Sequence, residues 1–377
     1  MAISLENLYK STKDEYKLNL VAGAPGMDRV ITWVQYTEDI DTNEFLRGNE
    51  LIIITGLTAT GDNWLFHFIE SLVDNNISGL IINTGRYIKE KDITSDIISL
   101  CDHNDLPLFL MPWEIHLADI MHDYCNRLFQ NNYRIDSITS AIQGIIFDPI
   151  QYSHYRNILN DYQISEYDLY NVVTIQNSDG ILSDFQVHLL ERQLNRTRAK
   201  YLHFLRDNTL TVVFYGTSEV CLNDLIEVIL QSNLPLVIGI GNTAHDLTKL
   251  RDCYRESNFA LSQAKKSNQT IVFFEQLGVY QILFQVDDRE FLKTLYKNRL
   301  GTLETQDKLH HSNLMKTLEL YLLEDGSIKA VADKLYTHRN TINYRMKKIR
   351  QILGESFDSP EQKFQYQLAF YIRKYLS

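Results

Sequence analysis

Cysteine is scarce in this 377-residue chain, and the four present, Cys101, Cys125, Cys221 and Cys253, are far apart. They form no CxxC pair and no Cys/His cluster, which argues against a disulfide framework or a zinc site and for reduced, mostly buried thiols. Long apolar runs are lacking as well, since none approaches the roughly eighteen residues needed to cross a bilayer. The N-terminus, MAISLENLYK, has no basic segment leading into an apolar run and a small-residue cleavage site. A cytoplasmic protein with no membrane partner is expected. There is also no P-loop, no GxSxG elbow and no HExxH helix, and the paired His310 and His311 read as surface residues. No catalytic residue, metal ligand or cofactor is assigned.

What is present has globular proportions. Hydrophobic residues make up 44% and charged residues 23%, and the length exceeds one ordinary core, so two or three domains are expected. The net charge of −11 is unevenly distributed. From Ser327 to Gly354, seven basic residues (Lys329, Lys334, Arg339, Arg345, Lys347, Lys348, Arg350) face the single acid Asp333, giving +6 and leaving −17 elsewhere. A concentrated basic element on an acidic body suits phosphate binding while limiting indiscriminate adhesion.

Residues 1–114 alternate apolar runs such as ELIIITG and GLIINTG with helical patterns such as GDNWLFHFIESLVDNN. That alternation predicts an α/β domain with largely parallel strands, in which Trp33 is read as core. Over residues 115–150, Leu128, Asn131, Ile135, Ile138, Ile142 and Ile145 continue the spacing of Leu117, Ile120 and Tyr124. This 3.5-residue period favours a dimerising coiled coil with Asn131 fixing register, against the alternative of a helix packed within one chain. Residues 151–286 form a second α/β region: YNVVTIQ, a helix DFQVHLLERQLNRT, a hairpin of YLHFL and LTVVFYG around Arg206-Asp207-Asn208-Thr209, a further helix, PLVIGIG, a long helix and IVFFE. Residues 287–377 read as helical.

The last region carries the functional signal. A helix over Asn313 to Leu323 ends at Glu-Asp-Gly, whose glycine suits a left-handed cap. Ser327 then caps a helix with Ile328, Val331, Ala332 and Leu335 on one face. After Tyr336 and Thr337 a basic helix follows, with Ile342, Met346, Ile349 and Leu353 inward. Two short helices, a tight turn and a basic second helix predict a helix-turn-helix at about 327–354. His338, Arg339, Asn340 and Thr341 open the second helix, where side chains reach base edges, and Arg and Asn suit guanine and adenine. Asn343, Tyr344, Arg345, Lys347 and Lys348 follow as further DNA-binding candidates, some of them for phosphates.

The stretch LMKTLELYLLEDGSIKAVADKLYTHRNTINYRMKKIRQILG, above all THRNTINYR, resembles the C-terminal helix-turn-helix of the PucR and CdaR class of bacterial regulators. GAPGMDRVITWVQYTED with FLRGNELIIITGL resembles the N-terminal sensor domain of PucR-type purine catabolism regulators, and the region from about 152 is similar to their degenerate GGDEF-like domain. The resemblance implies a multidomain α/β plus all-α chain: an N-terminal α/β sensor domain, a helical coiled-coil linker, a GGDEF-like α/β domain and a C-terminal helix-turn-helix. It further implies a homodimer or higher homo-oligomer that binds a double-stranded DNA operator of a purine, ureide or other nitrogen-compound catabolic operon and answers to a small-molecule effector. On this expectation the effector alters packing of the linker helix and hence the spacing of two DNA-binding units.

Two other classes stay open. An enzyme of the nucleotide cyclase type with a DNA-binding appendage would need a glycine-rich turn and paired carboxylates, but Arg206-Asp207-Asn208-Thr209 has no glycine and one carboxylate. A constitutive architectural DNA binder would show no sequence preference. Gly239-Ile240-Gly241-Asn242-Thr243-Ala244 fits a dinucleotide fingerprint formally, but lacks the acidic strand end about twenty residues on, so a glycine-allowed turn is expected. Effectors in parallel sheets sit outside the carboxyl ends of strands. The ligand-binding candidates are Glu38, Glu50, Thr55, Gly56 and Arg86, with the carboxylates as hydrogen-bond acceptors and Arg86 as partner for a carboxylate or carbonyl; against this, Glu38 and Glu50 would serve as caps or surface pairs.

Overall fold

The computed structural model describes residues 3–40, 45–59, 61, 63–183, 199–216 and 234–376, with single positions between 186–194 and 223–229. The chain divides into two compact units, Met1–Val272 and Phe273–Ser377.

The first unit holds two five-stranded sheets. In the first, β1 (Asn19–Ala22), β2 (Trp33–Tyr36), β3 (Glu50–Ile54), β4 (Gly79–Thr84) and β5 (Leu108–Pro112) lie in the order β1-β5-β4-β3-β2. β2 to β5 run parallel and β1 joins β5 antiparallel at the edge. The continuous apolar runs of β3 and β4 arise because both sheet faces are covered. Ile52 and Ile54 enter a core with Phe68, Ile69 and Ile97, from α2 (Trp64–Asp74) and α3 (Ser95–His103). Leu51 and Ile53, pointing the other way, meet Leu5 and Leu8 of α1 (Leu5–Thr12) and the beginning of α4 (Leu117–Phe147).

Helix α4 spans 31 residues and uses its apolar stripe twice. Ile120, Tyr124 and Leu128 are buried against the first sheet, and Ile138, Ile142 and Ile145 against the second. The Tyr124 hydroxyl is fixed by Thr12 Oγ1 at 2.6 Å. Most of the seam that reads as a coiled coil is therefore occupied within one chain. A 3.5-residue stripe suits a flat sheet as well as a partner helix over a few turns, so spacing could not separate the two. Between the halves, Asn131 and Ile135 are half-buried, while Phe129 and Tyr133 are exposed. Trp33, expected in the core, is 46% exposed and packs edge-on against Phe129.

The second sheet comprises β6 (Tyr170–Asn177), β7 (Tyr201–Arg206), β8 (Thr209–Tyr215), β9 (Leu236–Ile240) and β10 (Ile271–Phe273), ordered β10-β9-β6-β8-β7. β6 is antiparallel to β8 and β9, and β7 and β8 form the expected hairpin. Its turn puts Asp207 and Asn208 at φ 50° and 56°, the two left-handed residues of a tight hairpin turn. α5 (Tyr152–Asp161) and α6 (Leu250–Ser267) accompany this sheet. The helix expected over DFQVHLLERQLNRT, and the one after LTVVFYG, lie largely outside the described residues.

Gly239 and Gly241 do not adopt positive φ, so the expected turn role is corrected. A Cβ on Gly239 would stand 2.1 Å from the Ser257 carbonyl oxygen, and one on Gly241 would stand 2.4 Å from that of Cys253. Both glycines let the backbone of α6 lie directly on β9, which leaves no space for a phosphate.

In the second unit, α7 (Val279–Phe284), α8 (Arg289–His310), α9 (Leu314–Leu323), α10 (Ile328–Lys334), α11 (Arg339–Leu353) and α12 (Pro360–Leu376) follow in turn. They share one core that includes Leu283, Leu300, Leu318, Val331, Ile342, Met346, Ile349 and Phe370.

Substituting Gly239→Ala would force backbone apart where no side chain can yield. A loss of about 2–3 kcal/mol is expected, read as a lower urea midpoint.

Candidate nucleic-acid interface and ligand site

The helix-turn-helix is built from its caps inward. The preceding helix α9 ends on Asp325 and Gly326, at φ 49° and 84°, and the Gly326 amide donates to the Tyr321 carbonyl at 2.8 Å. Ser327 Oγ accepts from the Ala330 amide at 3.3 Å and starts α10. Val331 and Ala332 are buried, Ile328 and Leu335 partly so. At the close of α10 the Tyr336 amide donates to Asp333 O at 3.2 Å and the Thr337 amide to Ala332 O at 3.0 Å. His338 caps α11, its Nδ1 accepting from the Asn340 amide at 3.2 Å. In the neutral ring that leaves the proton on Nε2, free to donate outward. Ile342, Met346 and Ile349 are wholly buried, so the opposite face of α11 is turned to solvent.

That outer face displays Arg339, Asn340, Thr341, Asn343, Tyr344 and Lys347, all exposed. Lys348 is half-buried with Nζ 5.5 Å from the Tyr344 ring centre. Arg345 is also half-buried and donates to Thr317 Oγ1 at 3.4 Å, a hydroxyl on a fully buried residue. Two cations of the basic segment are held in ion pairs: Lys334 with Glu324, and Arg350 with Asp358 at 2.8 Å. The Asp358 carboxyl is held below its ordinary pKa by the Arg350 hydrogen bond. Exposed Lys329, on α10, has no carboxylate partner among the described residues. Its charge is legible in the sequence, but its exposure on the first helix of the motif is decided by packing.

In the first unit, the parallel strands place Glu38, Thr55, Gly56 and Arg86 after the carboxyl ends of β2, β3 and β4, along one edge. Glu50 opens β3 and so lies at the opposite edge. Its Oε1 accepts from the Arg47 amide at 2.8 Å, holding the loop before the strand.

Glu38 is 5% exposed. Its Oε1 accepts from Thr55 Oγ1 at 2.6 Å, from the Gly56 amide at 2.8 Å and from the Thr55 amide, and its Oε2 from the Thr58 amide at 2.9 Å. Burial raises its pKa, but the hydrogen bonds from Thr55, Thr58 and Tyr36 outweigh burial and the net shift is downward. The carboxylate is saturated by its own loop.

Arg86 is exposed, its guanidinium 5.4 Å from the Tyr87 ring centre and 5.7 Å from that of Trp113, and those rings meet edge to face. Tyr36, Tyr87 and Trp113 are half-exposed at or just past the ends of three strands, and nothing in their spacing distinguishes such a position from the core. Tyr87 also borders an open cleft of about 660 Å³, lined in addition by Trp64, His67, Lys91 and Asp92.

An outward basic helix in a helix-turn-helix, joined in one chain to two α/β domains, defines a multidomain chain whose last domain is of the helix-turn-helix class. Three family descriptions match in sequence order: the purine catabolism regulatory protein-like family at residues 8–128, a GGDEF-like domain at 160–262 and the PucR C-terminal helix-turn-helix domain at 314–372. In that order the three matches give this chain the set of domains found in PucR-type regulators.

Relatives from Bacillus subtilis (strain 168) include the proline-responsive transcriptional activator PutR, 37% identical over 31% of this chain and 29% of that protein. The purine catabolism regulatory protein is 32% identical over 37% of this chain and 26% of its own length, and the DNA-binding transcriptional activator AdeR 28% identical over 34% and 31%. The aligned regions thus span about a third or less of each of these relatives.

Glu38→Gln removes the charge that the Thr55 and Thr58 donors address. A loss of about 1–3 kcal/mol at neutral pH is expected. Because the folded pKa is depressed, the wild-type advantage is complete above the unfolded value of about 4.3 and disappears as pH falls through the folded pKa; chemical denaturation across pH 3–7 tests this.

Proposed function

We propose that the protein is a ligand-responsive, sequence-specific transcriptional regulator that works in the cytoplasm as a homodimer or higher homo-oligomer on double-stranded DNA. The carrying observation is the exposed opening of α11, with Arg339, Asn340 and Thr341 outward over a fully buried inner face. In this reading Arg339, Asn340, Thr341 and the His338 Nε2 read base edges. Asn343, Tyr344, Lys347 and Lys348 meet the backbone, and Arg345 combines a phosphate contact with its bond to Thr317. One such unit makes few base contacts, so two acting on symmetric half-sites supply useful specificity.

The effector is a small nitrogen-containing metabolite, a purine or ureide or another nitrogen compound, and the regulated genes degrade it. Names of two relatives support this class, one proline-responsive and one of purine catabolism. It binds at the carboxyl edge near Arg86, Thr55 and Gly56, where Arg86 presents a cation and Tyr87 and Trp113 apolar faces. Glu38 shapes this edge by holding residues 55–58, and Glu50 supports the sheet from its other end. Helix α4, buried against both sheets, is a continuous path for a packing change to leave the ligand domain. No enzymatic role is proposed.

Selection of genomic fragments by the purified full chain tests the regulator directly: one symmetric site beside a catabolic operon is expected, and no enrichment across salts and metabolites would sink it. Within the enriched site, Arg339→Ala should cost about 1–3 kcal/mol and relax the preference at one base position. Lys347→Ala should weaken binding evenly and lower the salt slope by about one.

A further inference from the structure

The turn between α10 and α11 contains an unexplained residue. The pair of bonds from Tyr336 N to Asp333 O and from Thr337 N to Ala332 O is a Schellman closure, with Tyr336 at the position that must turn left-handed. Its φ is 49°, and among the described residues it is the one phenylalanine, tyrosine or tryptophan with positive φ. Glycine takes this conformation without strain, whereas a bulky side chain does so against its preference. At the equivalent position the helix just before has Asp325, at φ 49°, a short polar residue that enters this region more readily than a large aromatic one does. The side chain is not retained for packing either, because Tyr336 is 97% exposed. A strained backbone and an unpacked aromatic ring, two residues ahead of the cap of α11, make sense together when the ring has a partner outside the chain.

We propose that Tyr336 is a DNA-backbone contact: its hydroxyl donates to a phosphate oxygen, and its ring lies along the adjoining sugar, where the start of α11 enters the groove. A neutral donor here fixes orientation without adding to the counterion-dependent part of binding. The inference rests on the DNA-binding reading above and adds a residue outside the recognition helix.

The test uses the full chain, a synthetic duplex of the genomically selected site, and the variants Tyr336→Gly and Tyr336→Phe. Tyr336→Gly relieves the left-handed strain, so amide exchange across Ile328–Leu353 should slow, while affinity falls about tenfold with an unchanged salt slope. Tyr336→Phe keeps ring and strain, so exchange should stay as in wild type while affinity falls by a smaller factor. The opposite signs of stability and affinity in the glycine variant separate a contact from a structural role. Wild-type affinity in both variants overturns the proposal, as does faster exchange in Tyr336→Gly, which would make the tyrosine a stabiliser of the turn. A wild-type chain that selects no DNA fails earlier and overturns the DNA-binding reading itself.

Discussion

One helix organises the larger unit. α4, Leu117–Phe147, is about 46 Å long at 1.5 Å per residue, enough for its two halves to serve different sheets. Its first half closes the face of the parallel sheet that α2 and α3 leave open, and its second half supplies Ile138, Ile142 and Ile145 to the antiparallel sheet. Without it, both sheets would show water an apolar face. The long stripe is thus a requirement of each sheet core, and the exposed Phe129 and Tyr133 fall where the helix passes between those duties.

The helical unit divides its residues by the same rule. The core takes Ile342, Met346 and Ile349 from α11, and packing fixes which side chains of that helix face out. Charge is sorted further by local partners. Glu324 and Asp358 hold Lys334 and Arg350, Thr317 draws Arg345 inward, and Arg339 and Lys347 remain on the surface. The positive field of the segment is consequently smaller than its composition, and concentrated on one face.

A buried carboxylate does corresponding work in the first domain. Glu38 accepts amide and hydroxyl hydrogens from Thr55 through Thr58 and fixes the loop that follows β3. The effect is a shaped strand edge on which Arg86, Tyr87 and Trp113 form an exposed cluster. Residue type alone did not distinguish Glu38, Glu50 and Arg86. Their surroundings separate a saturated acceptor, a loop anchor at the far edge and an outward cation.

The sequence by itself determined the parallel α/β reading, the β7–β8 hairpin, the helix-turn-helix with its caps and inner face, and the family resemblance that its motifs carry. These features are local: strand alternation, turn chemistry and helical spacing act over a few residues and leave periodic marks. Tertiary structure alone decided the rest. It gave the α4 stripe to two sheets, turned Gly239 and Gly241 into contact points for α6, exposed Trp33, and drew Arg345 and Glu38 into bonds within the fold. Each of those outcomes depends on which distant surface arrives opposite a residue, and spacing along the chain carries no record of that.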